Sequence, residues 1–242
     1  MAALWLYQKK HGEADIVDFG WSVCLGFLAI LYAFILPADP TVSALVSIFA
    51  VIWSFRLASH LWIRVKHPGE DGRYLALRAE WGQQAQKKFF IFFQAQALLA
   101  VFLSISFLIP LCFQTQVSNL QLILAVVWFL ISICGEALAD WQLNTFKSKP
   151  ESKGKTCRLG LWNYSRHPNY FFEWLYWFSY SILAIGSPYW YLTLISPFLL
   201  LYSILKITGI PPTEERAIRT RGDDYREYQK TTSAFIPWFK KK

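Results

Sequence analysis

The sequence predicts an all-α fold, a polytopic bundle of about six transmembrane helices with both termini on the cytoplasmic side. Three observations carry that expectation. The 242 residues are 55% hydrophobic and only 17% charged, against roughly 45–50% apolar and about 25% charged in soluble domains. Six stretches, 16–36, 42–65, 89–113, 120–141, 168–185 and 189–207, are long enough to cross a bilayer, which takes about 17–25 mostly apolar residues each. The basic residues also alternate along the chain. Connections 37–41, 114–119 and 186–188 carry no Lys or Arg, whereas the N-terminus, the two long connections and the C-terminal tail hold most of the 24. This is the positive-inside pattern.

The formal net charge of +8 is therefore topological and suits anionic lipid headgroups or an anionic cofactor. It does not call for nucleic acid. Four scattered cysteines without a CxxC pair, and four histidines without ligand spacing, suggest neither a disulfide framework nor a metal site. The first apolar run is too long for a cleaved signal peptide. A single integral membrane domain, 1–242, is expected. It would lie in a bacterial inner membrane, or in the endoplasmic reticulum membrane of a eukaryote, with its active site facing the cytoplasm.

Taken in order, the first span opens with Asp15, Asp18 and Trp21, where acidic residues suit the helix dipole. The second carries Arg56 deep in its apolar run, where a cation needs an anion, a polar cavity or a partner carboxylate. The connection 66–74 contains Pro-Gly and Asp-Gly turns and reads as a lid, with Tyr74 and Trp81 as interfacial anchors. Gln94 and Gln96 in the third span are expected to hydrogen-bond to neighbouring helices. The fourth span ends in Glu136, Asp140, Asn144 and Lys147, spaced to share one helical face. Such a row serves either intrahelical pairing or function. A basic loop with Lys149, Lys153, Lys155 and Arg158 follows, then Gly160, Trp162 and Tyr164.

Pro168 suits the first turn of the fifth span, and Asn169 and Glu173 then share a face. Gly209 to Pro212 breaks the chain after the sixth span. An amphipathic tail follows with Glu214 in a dipole role, then Arg216, Arg219, Arg221, Tyr225 and Tyr228. Phe235 to Phe239 reads as a hydrophobic plug that folds back on the bundle. No GxGxxG, GxxxxGK[ST] or GxSxG motif occurs. The polar groups instead converge on the cytoplasmic side. Carboxylates and amides there suit ribose hydroxyls or a carboxamide, and Arg and Lys suit phosphates. That mixture fits an anionic nucleotide-like cofactor, with a lipophilic substrate arriving from the bilayer.

The run Gly160-Leu161-Trp162, Ser165-Arg166-His167-Pro168-Asn169-Tyr170 and Glu173 resembles the signature of the steroid 5-alpha-reductase family, which includes the sterol C14 reductases. Asp140 to Lys147 is similar to that family's preceding acidic-to-basic segment. Arg216 to Tyr228 resembles its tail, and Phe235-Ile236-Pro237 its terminal motif. The resemblance covers 130–242. It implies an NADPH-dependent reductase of a polarised C=C bond in a steroid-, sterol- or isoprenoid-like substrate. The implied cofactor set is Asp140, Asn144, Lys147, Arg158, Tyr164, Arg166, His167, Asn169, Glu173, Arg216, Arg219 and Tyr228. Steroid-reducing members place a carbonyl-polarising tyrosine three residues before an arginine. Trp53 stands there in this chain, which leaves Tyr74, Glu70 and Arg56 as the candidate catalytic residues. The Arg-His-Pro-x-Tyr run also resembles the isoprenylcysteine carboxyl methyltransferases, which use S-adenosylmethionine. The Asn169/Glu173 pair and the Asp140 row favour the reductase.

Overall fold

A computed structural model describes residues 1–65, 69–113 and 116–240. Lys66, His67 and Pro68 of the expected lid, and Gln114 and Thr115 of a short connection, lie outside the described residues. Among the described residues the regular elements are helices. Five helical stretches are long and apolar enough to cross a membrane: Ile16–Ile35, Pro40–Trp62, Gly72–Phe113, Asn119–Lys147 and Trp190–Arg221. In hydrocarbon every backbone group must be satisfied within the chain, which helices achieve segment by segment. The chain divides into two compact units.

The first unit comprises Met1–Gln116 and Gly186–Thr193. It holds α1 (Ala2–His11), α2 (Ile16–Ile35), α3 (Pro40–Val65), α4 (Gly72–Trp81) and α5 (Ala85–Phe113). Small hydroxyl side chains join the long helices, as expected where apolar contact alone gives little preference between protein and lipid. Ser54 Oγ donates to the Ser22 carbonyl at 2.8 Å, and Phe19 packs on Trp62, so α3 runs antiparallel to α2. Val17 shares a core with Phe89 and Phe93, and the Tyr32 and Ser104 hydroxyls meet at 3.3 Å. Hence α5 runs parallel to α2. Trp53 is fully buried with its ring edge-on to Trp21, a packing role that accounts for an indole there.

The second unit comprises Val117–Ile185 and Leu194–Lys242, and so holds all but eight residues of the signature-bearing stretch 130–242. Its helices are α6 (Asn119–Lys147), α7 (Pro168–Tyr176), α8 (Phe178–Ala184), α9 (Ile195–Lys206), α10 (Ile210–Arg221) and α11 (Asp223–Thr231). The Ser118 hydroxyl caps α6 by accepting from the Gln121 amide at 3.2 Å. Gln121 Nε2 in turn donates to the carbonyls of Ile182, Leu183 and Ile185. The last carbonyls of a helix lose their ladder donors, and this amide caps the end of α8. Helix α6 continues beyond its apolar stretch to Lys147, which keeps Asp140, Asn144 and Lys147 on one helix as their spacing predicts.

The span expected at 168–185 is not one long helix. It consists of α7 and α8, which meet at Trp177. Ser179 Oγ donates to the Tyr176 carbonyl at 2.7 Å beside that joint, and such back-bonding competes with the helical ladder. Two further expectations change at the C-terminal end. Pro211 and Pro212 begin α10 instead of only ending α9, since the first helical turn has no use for their missing N–H groups. Of the expected plug, Phe235 is buried with Ile204 and Ile210, whereas Ile236, Trp238 and Phe239 are exposed.

The turn from α9 into α10 depends on Gly209. A Cβ there would lie 2.7 Å from both the Cα and the carbonyl oxygen of Ile204, and backbone cannot step aside as a side chain can. We expect Gly209→Ala to destabilise the protein by about 1–3 kcal/mol, the range for overpacking. Thermal unfolding in detergent checks this; an unchanged midpoint would refute the close approach.

Candidate functional site

The loop between α6 and α7 is built by bonds back to α6. Gly160 has φ +54°, a backbone conformation that disfavours side chains, and Gln142 fills the space where a Cβ would lie. The Leu161 amide donates to Gln142 Oε1 at 2.9 Å, and Trp162 Nε1 donates to the Ala139 carbonyl at 2.9 Å. The C-terminal segment clamps the loop from another side. The Arg166 amide donates to the Ser233 carbonyl at 2.8 Å, Ser165 Oγ to the Phe235 carbonyl at 2.7 Å, and the buried Tyr228 hydroxyl to the carbonyls of Trp162 and Ser165. The chain then enters α7 at Pro168 with little freedom.

Glu214 is the centre of this clamp, well beyond the dipole role expected of it. Its carboxylate accepts from Arg166 Nε at 2.6 Å, Gln229 Nε2 at 2.7 Å, the Tyr225 hydroxyl at 3.2 Å and His167 Nε2 at 3.2 Å. Arg166 Nη1 also donates to the Gln229 and Thr232 carbonyls, at 3.0 and 2.7 Å. Arg166 and His167 are therefore engaged in holding the loop to α10 and α11. Arg158 is committed in the same way, donating to Asp224 Oδ1 at 2.9 Å and to its carbonyl at 2.8 Å. Partial burial opposes ionisation of Asp224, yet hydrogen bonds from Thr156 and the nearby Arg158 hold its carboxyl below the ordinary value.

Between the end of α6, the loop 148–157 and α10 lies a cavity of about 750 Å³. Lys147, Lys149, Lys153, Lys155, Arg216 and Arg221 line it, and no Asp or Glu does. Burial pushes the Cys157 thiol up, so that lining residue adds no negative charge either. A narrower cavity of about 190 Å³ shares Lys147, Cys157, Thr213 and Arg221 with the first and is also lined by His167, Asn169 and Tyr170. Asn169 Nδ2 donates to Asp140 Oδ1 at 3.2 Å, which ties the α6 row to α7. Its Oδ1 is buried and has no hydrogen-bond partner. The site thus offers clustered cations for an anion and a vacant acceptor for a hydroxyl or amide donor.

Of the predicted cofactor residues, Lys147 and Arg216 line the wide cavity. Lys147, Arg166, His167, Asn169 and Tyr228 line the narrow one, and Asp140 reaches it through Asn169. Asn144, Arg158, Tyr164, Glu173 and Arg219 line neither. Arg219 pairs with Glu215 on the exposed face of α10, Tyr164 packs on Phe239, and Asn144 is exposed on α6. Glu173 is half-buried one turn beyond Asn169. Lys149, Lys153, Lys155 and Arg221, expected among the converging basic groups but not in the implied cofactor set, also line the wide cavity. Glu214 was missed because its partners lie in two other segments, the loop before α7 and α11.

The three candidate catalytic residues lie in the first unit. Tyr74 is buried instead of anchoring at an interface, and its hydroxyl donates to Asp18 Oδ1 at 2.8 Å. Asp18 also pairs with Arg73 at 3.0 Å. Glu70 accepts from the Ala14 amide at 2.8 Å and from Arg78 Nη2 at 2.7 Å. Both groups therefore have structural partners inside their own unit. Arg56 lies on α3, one turn beyond Trp53.

A family model described as "Protein of unknown function (DUF1295)" matches residues 4–232. No curated protein and no solved structure matched the chain.

Two outcomes follow from the clamp. Glu214→Ala leaves the Arg166 guanidinium largely buried without its carboxylate, and such a change costs on the order of 3 kcal/mol. A wild-type unfolding midpoint in that variant would show the clamp to be dispensable. Burial, opposed by the hydrogen bond to Glu214, holds His167 below the histidine value of 6.5. The unfolded chain then takes up this proton first as pH falls. The stabilisation is complete above about 6.5 and is lost progressively below it. The midpoint should fall between about pH 7.5 and about pH 5.5, and His167→Asn should flatten that slope. Equal slopes in both proteins would overturn the assignment.

Proposed function

The chain belongs to the DUF1295 family, and we propose that it is an NADPH-dependent membrane reductase acting on a polarised C=C bond of a lipophilic substrate. The observation that carries this reading is the cationic cavity lined by Lys147, Lys149, Lys153, Lys155, Arg216 and Arg221 without a carboxylate. Six like charges gathered around one space repel one another unless an anion balances them. Several phosphates on one ligand meet that demand, and Lys and Arg side chains are suited to bind them. The vacant Asn169 Oδ1 in the adjoining narrow cavity fits a ribose hydroxyl or a carboxamide N–H. The resemblance of 165–173 to the steroid 5-alpha-reductase signature supports the same cofactor.

This donor set disfavours the methyltransferase reading. S-adenosylmethionine carries a sulfonium, an ammonium and one carboxylate, hence a net positive charge, and no phosphate. A wall of six cations opposes it.

Held in this cavity, NADPH would supply a hydride for the β-carbon of the conjugated substrate, with the proton for the α-carbon drawn from solvent. The protein's part is to neutralise the phosphates through the lysines and arginines of the wide cavity. Asn169, oriented by Asp140, positions the polar group that enters the narrow one. The clamp at Glu214 keeps Arg166 and His167 in place.

NADPH should raise the unfolding temperature of the detergent-purified protein, since it binds only the folded state, and S-adenosylmethionine should not. The opposite pattern would sink the reductase reading. Lys153→Glu and Arg216→Glu should each weaken NADPH binding about tenfold, an effect that shrinks as salt screens the charges. Isothermal titration at low and high ionic strength measures it, and salt-independent wild-type affinity would exclude a phosphate site here.

A further inference from the structure

The exposed surface of α6 changes character within one turn. Ile131, Leu138 and Trp141 are exposed, whereas the next exposed side chains, Asn144, Thr145 and Lys147, are polar. A spanning helix sheds its exposed apolar residues where hydrocarbon gives way to headgroups, and Trp is enriched at that boundary. The edge of the bilayer on α6 therefore falls between Trp141 and Asn144. Direct contacts carry this level to the C-terminal segment. The Leu161 amide and Trp162 Nε1 are bonded to Gln142 and Ala139 of α6. Two residues further on, the Tyr164 carbonyl accepts from the Trp238 amide at 3.0 Å, and the Tyr164 ring meets Phe239 edge-on with centroids 6.3 Å apart. Ser165 Oγ holds the Phe235 carbonyl at 2.7 Å. Residues 235–239 are thus fixed where α6 leaves the hydrocarbon.

The side chains of this fixed segment are divided. Phe235 packs on Phe171 and Trp174, whereas Ile236, Trp238 and Phe239 are 55%, 67% and 77% exposed, beside exposed Tyr164. A loose tail could turn such side chains inward. One held by its backbone bonds cannot, and a grouped apolar patch of this kind marks a contact surface. A protein partner would have to reach it at the bilayer edge, where lipid already stands. The charges point the same way. No Asp or Glu follows Glu227 in the sequence, and Lys240, Lys241 and Lys242 come directly after the aromatic residues. Aromatic rings followed by lysines suit the headgroup layer, the rings at the acyl boundary and the ammonium groups on anionic lipid.

We infer that Ile236, Trp238 and Phe239 dip into the headgroup layer of the leaflet at this end of α6, with Lys240 and the two lysines after it on anionic lipid. The carbonyls of Ser233 and Phe235 receive the Arg166 amide and the Ser165 hydroxyl, so the leaflet steadies the loop that enters α7. Such anchoring is independent of any cofactor.

The test is quenching of a fluorophore attached at Phe239→Cys, in protein whose exposed Cys112 and Cys134 are replaced by Ser. The protein is reconstituted in vesicles of phosphatidylcholine, alone or mixed equally with phosphatidylglycerol. A fluorophore at Glu227→Cys, exposed on polar α11, gives the reference in water. Lipids with a nitroxide just below the headgroup should quench the probe at 239 several-fold more than the one at 227, and more than lipids with a nitroxide at the chain end. Phosphatidylglycerol should strengthen that quenching, and Lys240→Gln with Lys241→Gln and Lys242→Gln should abolish the gain. Ile236→Ser with Trp238→Ser should remove most of the quenching. The same pair should leave the unfolding midpoint in detergent unchanged, since exposed side chains contribute little to the fold. Equal access of acrylamide to both probes would place the segment in water and overturn the inference. Stronger quenching from the chain end, or equal quenching in neutral and anionic vesicles, would overturn it too. So would a probe at 239 shielded from acrylamide yet unquenched by lipid, with disulfide-linked dimers in the unlabelled variant, which would assign the patch to a second copy.

Discussion

The ion pair between Arg166 and Glu214 is the interaction on which the second unit depends. Glu214 sits on α10, Arg166 and His167 precede α7, and Tyr225 and Gln229 belong to α11. One carboxylate thus joins three segments that local sequence preference would leave independent. Both members of the pair are largely removed from water, with side-chain exposures of 11% and 13%. Neither can lose its partner without stranding a charge. The bonds from Arg166 to two carbonyls of the α11 end make the junction rigid as well as neutral.

The pairing also sorts the cations of the molecule into two kinds. Arg73, Arg78, Arg158 and Arg166 each have a carboxylate within 3.1 Å, and each secures a loop or a helix end. Lys147, Lys149, Lys153, Lys155, Arg216 and Arg221 surround a cavity whose lining includes no such group. With 24 basic against 16 acidic residues, a surplus of positive charge was inevitable. Its position follows from where the acids are already engaged. Charge balance therefore marks the candidate site more firmly than residue type does, since arginine serves equally in a clamp and in a cavity wall.

The parts of this arrangement that were legible in the sequence are those set by local rules. Four long apolar runs became α2, α3, α5 and α6 because length and hydropathy suffice to specify a spanning helix. The four-residue spacing of Asp140 and Asn144 kept them on α6, and Pro168 began α7. The break at Trp177 was illegible because it depends on how a serine hydroxyl competes for one carbonyl, and composition is silent about that. Glu214 looked like a dipole residue because three of its four partners stand at least 15 residues away. Arg158, Arg166 and Arg219 entered the expected cofactor set through the family resemblance, yet each is taken by an acid. Tyr74 was read as an anchor since nothing local signals that Asp18, 56 residues earlier, receives its hydroxyl.

The close turn at Gly209 has a consequence in time as well as in space. Helices α10 and α11 follow the last long apolar helix in chain order, and they supply Arg216, Arg221 and the Glu214 clamp. During synthesis the long apolar helices emerge before the segments that close the cationic cavity. Partitioning into the bilayer and completion of the cationic wall are therefore successive events. The lysines on the 148–157 loop wait in water while the apolar helices find lipid.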